Sequence, residues 1–597
     1  MIDKVLVANR GEIALRIIRA CRELDIPTVA VYSDADREAL HVQAADEAVH
    51  IGPTPASQSY LNAARIIDTA REYSCAAIHP GYGFLAENAG FARACTDAGL
   101  TFIGPSPGPM ELMGGKLAAR AHATAAGVPV VPGTLEPVTT ADEVKALAQR
   151  FGYPVAIKAS AGGGGKGLKV AMSAAEVEQA VSLAAKEAQA YFADPTLYVE
   201  RYLAHPRHIE IQILGDRHGN VVHLGERDCS LQRRHQKLVE ETPSRISDRL
   251  RSRMCEAAVR LAQSIGYDSA GTIECLVEGD EYFFLEMNAR IQVEHTISEA
   301  VYGFDLVKAQ IRIAGGERLW RTQEELVPRG HAIECRINAE SPAAGFAPAP
   351  GRIARYIEPG GPGIRIDSAA YAGWTIGSDY DSLIGKLIAW GSDRDEARKR
   401  MLRALGEYQI EGVPTTVPFL RLLLDDPAFV DATYSTASVE DFVHRRQAEI
   451  QNVYESEASR PQASDGATHA ESTAPSDATD LAVEVNEKLF RVRVFGLPAG
   501  TTGPSRRAPS FRSSKPVAFG GPAIAAPMHG IIAEIKVQPG DNVRDGQVVA
   551  VIEAMKMMNE VVAHRAGTVA SVDVRAGETV ESGMALLTFA EPSPTGV

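Results

Sequence analysis

Near the C-terminus, apolar and polar residues alternate in two stretches that copy each other. Gly530-Ile531-Ile532-Ala533-Glu534-Ile535-Lys536-Val537 is echoed by Gly567-Thr568-Val569-Ala570-Ser571-Val572-Asp573-Val574. The echo continues with Gly540 and Gly577, Val543 and Val580, and Gly546 and Gly583, all at one offset (567 − 530 = 37). Period-two alternation is that of a half-buried strand, and glycines mark turns. The pattern therefore predicts two small sheets packed face to face. Between the halves lies Glu553-Ala554-Met555-Lys556-Met557, at a tight hairpin that points the Lys556 amine into solvent.

The other end of the chain reads differently. Lys4–Ala8 is an apolar strand, Ile13, Leu15, Ile17, Ile18 and Cys21 mark a helix, and Thr28–Tyr32 is a second strand, an α/β opening. Asn9-Arg10-Gly11-Glu12-Ile13-Ala14 lacks the G-x-G-x-x-G that brings backbone against a pyrophosphate, which excludes a dinucleotide-binding unit. A further strand runs into His79-Pro80-Gly81-Tyr82-Gly83-Phe84-Leu85, the loop position where parallel α/β proteins place ligands, and Leu100–Ile103 is another strand. Met113-Gly114-Gly115-Lys116 follows.

The densest chemistry lies between residues 154 and 340. The strand Pro154–Lys158 leads into Ala159-Ser160-Ala161-Gly162-Gly163-Gly164-Gly165-Lys166-Gly167. Four consecutive glycines expose backbone N–H groups that can wrap a phosphate. Gly167 after Lys166 excludes a P-loop, and a strand after the glycines makes a hairpin lid the better description. Leu197–Leu203 reads as a strand with one carboxylate, Glu200, and free backbone groups suited to an adenine edge; His208–Gln212 is an alternating strand. Arg233, Arg234, His235 and Lys237 form a basic run that, beside a phosphate loop, is expected to line an anion site. Glu274 and Glu286 each end an apolar strand, with Asn288 two residues on. On neighbouring antiparallel strands they would face one cleft and offer the hard oxygens that Mg²⁺ requires. Arg290-Ile291-Gln292-Val293-Glu294 follows, and the strand His331–Glu340 carries Arg336. Arg290–Glu294 and Arg336–Glu340 could each be a local ion pair instead of site residues.

At 597 residues the chain is too long for one core. A net charge of −15 argues against nucleic acid as a partner, and no apolar run is long enough to span a membrane. Seven scattered cysteines without a Cys-x-x-Cys pair fit reduced thiols in a cytoplasmic protein. The N-terminus shows no signal pattern, which favours a bacterial cytosolic location. Residues 455–480 are Ser, Ala, Thr, Glu and Asp with almost no large apolar side chain, so they read as a disordered linker. Leu481–Phe495 is a short alternating hairpin, and 496–521 is a second tether.

Two resemblances then organise these parts. The Ala-Met-Lys-Met tetrapeptide at 554–557 resembles the biotinyl domain of biotin-dependent carboxylases, where the lysine carries biotin. Residues 1 to about 448 resemble the biotin carboxylase component of acyl-CoA carboxylases, an ATP-grasp enzyme. The matching motifs are Asn-Arg-Gly-Glu-Ile-Ala, His-Pro-Gly-Tyr-Gly-Phe-Leu, the glycine lid, Glu-Met-Asn-x-Arg-Ile-Gln-Val-Glu-His and Glu-Cys-Arg-Ile-Asn-Ala-Glu. Ala161 stands where a lid glycine is frequent and Lys166 where arginine is also common; neither touches the backbone role of the loop. The implied fold is an α/β ATP-grasp biotin carboxylase followed by an all-β biotinyl/lipoyl-like flattened barrel. The implied boundaries are an N-terminal subdomain at 1–114, ATP-grasp at 115–330 with its lid at about 131–203, a C-terminal subdomain at 331–450, linker at 451–480, hairpin at 481–497, linker at 498–521 and biotinyl domain at 522–592.

The resemblance implies carboxylation of biotin by ATP and bicarbonate. Lys116, Lys158, Gly164 and Gly165 would hold the phosphates, Glu200, Arg201, Tyr202 and Leu203 the adenine, and His208, Gln232 and His235 would flank the nucleotide. Glu274, Glu286 and Asn288 would hold Mg²⁺ (or Mn²⁺). Lys237, Arg290, Gln292 and Val293 would fix bicarbonate, Glu294 would act as general base, and Arg336 and Tyr82 would face biotin. Implied partners are a separate carboxyltransferase β subunit, a biotin protein ligase, and further copies of the chain in a multi-subunit complex. The compact arrangement resembles actinobacterial α subunits serving acetyl- and propionyl-CoA; 3-methylcrotonyl-CoA is the alternative substrate. A non-catalytic carrier or assembly protein is a second reading, opposed by the intact set of charged residues. A carbamoyl-phosphate or amino-acid ligase is a third, opposed by the biotinyl domain.

One lysine must then visit two sites. As a flexible coil the first linker, about 26 residues, spans on the order of 30 Å and raises the local biotin concentration toward roughly the millimolar range. Lys556→Ala is expected to leave bicarbonate-dependent ATP cleavage with free biotin intact and to abolish acyl-CoA carboxylation; loss of both would sink this division of labour.

Overall fold

A computed structural model gives the fold, and it describes all residues except 1, 135, 139, 161–166, 193, 235, 459–477, 486–487, 496–522, 528–529, 555–556, 581–582 and 591–597. The chain opens on a five-stranded parallel sheet in the order β3-β2-β1-β4-β5, with β1 Val5–Val7, β2 Thr28–Ser33, β3 Glu47–Gly52, β4 Ala77–His79 and β5 Thr101–Phe102. Val5, Leu6 and Val7 are all buried, as expected of a parallel strand covered on both faces. The helix α1, Gly11–Arg22, buries the Ile13, Ile17 and Ile18 stripe against the sheet. The sequence reading omits β3. It is the sheet edge, and Glu47 and His50 interrupt its apolar run because an edge strand can leave one side half-exposed.

A small three-stranded antiparallel sheet comes next, β7-β6-β8, with β6 Val155–Ala159, β7 Leu168–Ala171 and β8 Leu197–Arg201. It has its own core of Val144, Val155, Ile157, Val177 and Val199. The glycine run 161–166 lies outside the described residues, but the strands that flank it pair as a hairpin through Lys158↔Leu168.

The centre of the molecule is an eight-stranded antiparallel sheet. Six strands are β9 Arg207–Gly215, β10 Val221–Arg233, β11 Gln236–Thr242, β12 Ala270–Glu278, β13 Glu281–Asn288 and β14 His331–Asn338. They run β13-β12-β9-β10-β11-β14, then the strands Leu383–Gly391 and Ile364–Ser368 complete the sheet. Glu274 and Glu286 therefore sit within strands, not at their ends as the sequence reading has them. One apolar side of this sheet belongs to the core of Ile209, Ile211, Ile273, Phe284 and Met254. Its far end packs on a second core of Ile333, Ile337, Leu387, Met401, Phe419 and Phe442.

The helix Ser438–Ala458 continues past 451, so the linker begins later than the sequence reading places it. A hairpin of strands Ala478–Val485 and Lys488–Phe495 follows, starting before the expected residue 481. The rest of that linker and residues 496–522 lie outside the described residues.

The C-terminal unit folds as two four-stranded sheets around one core of Ile532, Val549, Ile552, Val569, Val580, Leu586 and Phe589. Its pairing shows why the sequence repeats. Gly530 pairs with Val580, and Gly567 with Val543, so each half lends its short strand to the other half's sheet. Gly540 and Gly577, and Gly546 and Gly583, all adopt positive φ at equivalent turns, where a Cβ would be strained. The hairpin strands Val548–Ala554 and Met557–Val562 pair up to Ala554↔Met557; Lys556 itself lies outside the described residues. All seven cysteines are free and buried, and among the described residues no helix is long and apolar enough to cross a membrane.

Candidate active site

Strand register alone lines up most of the charged side chains. Across β13, β12, β9 and β10, Glu286 pairs with Glu274, Glu274 with Glu210, and Glu210 with Arg227. Directly opposed residues share one face of an antiparallel sheet. That face is buried: Glu210 and Arg227 are fully inaccessible, and Glu274 and Glu294 nearly so.

Lys237, on β11, closes the row. Its Nζ lies 2.6 Å from Glu210 Oε2, 3.0 Å from Glu274 Oε1 and 2.6 Å from Glu294 Oε1. Burial works against its charge, but the three carboxylates raise it well above an ordinary lysine. Arg227 donates to Glu210 (2.6 Å), Gln212 (2.6 Å), Ser298 (3.0 Å), Thr272 (3.1 Å) and Gln292 (2.7 Å), so its buried fork is spent on structure. Gln292 in turn donates to Glu274 Oε1 at 2.7 Å, and His208 Nε2 lies 2.9 Å from Glu274 Oε2.

Glu294 sits just before the helix His295–Tyr302 and is held from two sides. Lys237 takes Oε1, and Arg336 Nη2 takes Oε2 at 2.9 Å. Burial disfavours its charge, yet Lys237, Arg336 and Arg227 hold it well below the usual carboxylate range. Arg336 also grips Glu240 at 2.6 Å. Arg290 donates to Asn288 Oδ1 (2.6 Å) and Glu87 Oε2 (3.0 Å). Glu340 instead accepts from Asn338 and Ser382. Neither local ion pair, Arg290–Glu294 or Arg336–Glu340, forms: the carboxylates that Arg290 and Arg336 hold, Glu87 for the first and Glu240 and Glu294 for the second, lie far from them in sequence.

Strand register brings two of the three metal candidates face to face. Glu274 and Glu286 oppose each other on neighbouring strands, with Asn288 on the same strand as Glu286. Burial and the Glu274 charge push the Glu286 carboxyl up. Two opposed carboxylates form a hard-oxygen pair whose repulsion a divalent cation would relieve, while the Asn288 amide oxygen is taken by Arg290. Lys116 opens the helix Lys116–Ala125 and shares this space. Burial lowers its ammonium, Glu286 partly restores it, and Lys158 repels it. Two lysines and a carboxylate pair thus lie within electrostatic reach of one another.

Other expectations need correction. Glu200 is a buried ion-pair partner of Lys158 and of Arg120 (3.0 Å), and the Arg201 and Tyr202 N–H groups donate to the carbonyls of Pro132 and Pro154. These two backbone donors are therefore committed to other carbonyls and are not offered to an adenine edge. The basic run does not line one anion site. Gln232 pairs with Lys237 and Arg233 with Gln236 across the β10–β11 hairpin, so period two sends only the first pair toward Glu294. Arg233 stacks over Phe346, and Arg234 takes the turn with positive φ. His235, Gly164 and Gly165 lie outside the described residues. Tyr82 donates to Glu12, and the Arg336 charge acts on its phenol.

Sequence reasoning missed Glu210, Arg227, Glu240, Glu87 and Lys386. A usable signal existed for the first two: a charged residue in the middle of an apolar strand is buried only if paired. Glu240 had no such local signal, because its neighbour Glu241 faces the opposite side and binds His331 (2.9 Å) and Arg394 (2.7 Å).

Residues 1–110 match the model for the biotin carboxylase N-terminal domain, and 115–322 that for the carbamoyl-phosphate synthase L chain ATP-binding domain. Residues 334–441 match the biotin carboxylase C-terminal domain and 518–589 the biotin-requiring enzyme domain. The chain is 54% identical over 441 residues to a biotin carboxylase of Nostoc, covering 74% of this chain and 99% of that one. It is 44% identical over 599 residues to the biotin-dependent acyl-coenzyme A carboxylase alpha3 subunit of Mycobacterium leprae, covering 98% of each. A solved structure of the biotin carboxylase domain dimer of Hydrogenobacter thermophilus 2-oxoglutarate carboxylase, in complex with MgADP, ADP and bicarbonate, superposes with a TM-score of 0.72 at 49% identity. That superposition covers 75% of this chain and 98% of the other.

Glu240 supplies a pH test of the site's electrostatics. Burial pushes its carboxyl from 4.5 up to about 7 against the pull of Arg336, and the Glu294 charge adds to the push. A carboxyl raised on folding favours the folded state below its unfolded value and loses that contribution as pH rises through its folded value. Between pH 4.5 and 7, wild type should lose stability relative to Glu240→Gln, by on the order of 3 kcal/mol. Denaturant midpoints across pH measure this; a gap between the two proteins that stays constant would show that Glu240 ionises normally.

Proposed function

The chain belongs to the biotin carboxylase family, ATP-grasp ligases here joined to a biotin carrier domain, and on that premise we propose that it is the α subunit of an acyl-CoA carboxylase acting on acetyl-CoA, propionyl-CoA or both. It carboxylates biotin on its own carrier domain, and a separate β subunit transfers the carboxyl group to the acyl-CoA. The observation that carries this reading is the full-length match to the Mycobacterium leprae acyl-coenzyme A carboxylase alpha3 subunit, which covers carboxylase, linkers and carrier alike. We place the reaction in the cytoplasm, with a biotin protein ligase loading Lys556 and several copies of the chain in the assembled complex.

The geometry supports a division of roles. Lys116, Lys158 and the glycine lid hold the ATP phosphates, with Leu203, His208, Gln232 and His235 around the nucleotide. Glu274, Glu286 and Asn288 would hold Mg²⁺, which when bound would neutralise phosphate charge that repels an incoming anion. Lys237 and Arg290, with the Gln292–Val293 backbone, fix bicarbonate; the planar guanidinium matches a planar oxyanion. Glu294 accepts the bicarbonate proton, freeing an oxygen to attack the γ-phosphate. Its two ion pairs keep it ionised and so ready to accept. They also make it a weak base, which is offset because the anion it creates meets the same cations. Attack on the γ-phosphate expels ADP and leaves carboxyphosphate, which breaks down to CO₂ and phosphate; Arg336 and Tyr82 would face the biotin ring, the phosphate would take the N1 proton, and that nitrogen would take up the CO₂.

Two measurements test the reading. Glu294→Gln keeps shape and removes the base, so bicarbonate-dependent ATP cleavage should fall by roughly 10²–10⁴. A variant within a few-fold of wild type would remove Glu294 from that role. Pulling down the β subunit and following ¹⁴C-bicarbonate into a panel of acyl-CoAs should label acetyl-CoA or propionyl-CoA. Label confined to 3-methylcrotonyl-CoA, or to no acyl-CoA, would reject the proposed substrate.

A further inference from the structure

Lys386 is fully buried, and the roles above do not use it. It lies on the strand Leu383–Gly391, directly opposite Arg336 on one side and Asp367 on the other. Its Nζ donates to the carbonyl of Val293 at 2.9 Å and lies 3.1 Å from Glu12 Oε1 and 3.9 Å from Asp367 Oδ2. A lysine is almost never buried whole unless its charge is paired. Burial works against this ammonium, but Glu12, Asp367 and Glu334 raise it above its ordinary value.

The carbonyl it holds belongs to a particular peptide. Val293 C=O and Glu294 N–H form one rigid plane, so fixing that oxygen fixes the backbone on which Glu294 is carried. Arg336, one strand over, grips the Glu294 carboxylate at 2.9 Å. Adjacent cations on adjacent strands thus hold the same residue by its side chain and by the peptide before it. The anchor reaches further. Glu12 stands in the first turn of α1, and Tyr82 follows β4 and donates to Glu12, with the ammonium 5.9 Å from the Tyr82 ring centroid. Glu12 Oε2 has no hydrogen-bond partner among the described residues, so Lys386 and Tyr82 are what hold that carboxyl in place.

We propose that Lys386 is a positioning residue for the bicarbonate step, setting the Val293–Glu294 peptide through its carbonyl and being anchored in turn by Glu12. The inference rests on the bicarbonate site proposed above. It explains why a cation is buried behind Val293: the oxyanion-binding backbone at Gln292–Val293 and the base at Glu294 lie on a loop, and a loop needs an outside grip to hold geometry within a fraction of an ångström.

The test is a split between Michaelis constants in bicarbonate-dependent ATP cleavage by the full-length protein. Lys386→Met keeps the length and apolar stem and removes the charge and the donor. The KM for bicarbonate should rise roughly ten- to hundredfold while the KM for ATP stays near wild type. A merely structural lysine would change stability or kcat and move both constants together, or neither, and either result in a folded variant overturns the proposal. If Lys386→Met fails to fold, Glu12→Gln decides, because it leaves the ammonium beside Asp367 but weakens its anchor. The bicarbonate KM should then rise by a smaller factor, about threefold or more, and an unchanged value overturns the proposal. Wild-type protein without bicarbonate-dependent ATP cleavage would sink the proposed function and this inference together. Active wild type with an unaltered Lys386→Met variant would sink this inference alone.

Discussion

Everything at the centre of this protein depends on keeping buried charges in balance. The ammonium of Lys237 stands within 3.0 Å of three carboxylates that come from two strands and a loop. Any of those carboxylates alone would be expelled to solvent or neutralised by a proton. Removing the lysine would leave three like charges in a space with little water, so the cluster stands or falls as a unit. Such clusters contribute little net stability, because desolvation consumes most of the attraction. What they supply is a fixed arrangement of donors and acceptors before substrate arrives.

That arrangement explains the division between sheet and loop. The sheet offers register: Glu286, Glu274, Glu210 and Arg227 fall into line because antiparallel partners face the same way. The loop 290–294 offers the groups that must meet substrate, and loops do not hold geometry by themselves. Here the loop is tied to the sheet at several points: Gln292 to Glu274 and Arg227, the Val293 carbonyl to Lys386, and Glu294 to Lys237 and Arg336. Arg290, which leans on Glu87 and Asn288, is the member tied to loop and strand end instead of to the buried row.

Much of this was legible in the residues. The repeat around Lys556 foretold two facing sheets, and the pairing of Gly530 with Val580 and of Gly567 with Val543 is that repeat in space. The lid hairpin followed from alternation, and the metal carboxylates from charge placed at the ends of apolar runs, although both turn out to sit within their strands. The misreadings share one cause. The basic run at 233–237 looked like a patch in one dimension, and a hairpin turn divides it between two faces. Glu200 looked available, and Lys158 and Arg120, 42 and 80 positions away, claim it. Arg290 and Arg336 looked able to pair with a carboxylate four residues on, and each finds its partners elsewhere.

The sequence by itself determined which elements form and which chemistry they carry. Periodicity, turn residues and motif spacing are local, and the physics that enforces them acts over a few residues. Only the tertiary structure decided which charges meet. Glu12 and Lys386, or Glu240 and Arg336, are brought within hydrogen-bonding distance by sheet order and register, which depend on the whole chain. A buried ion pair leaves no periodic trace, because its two halves obey different local patterns and are joined only when the fold excludes water from both.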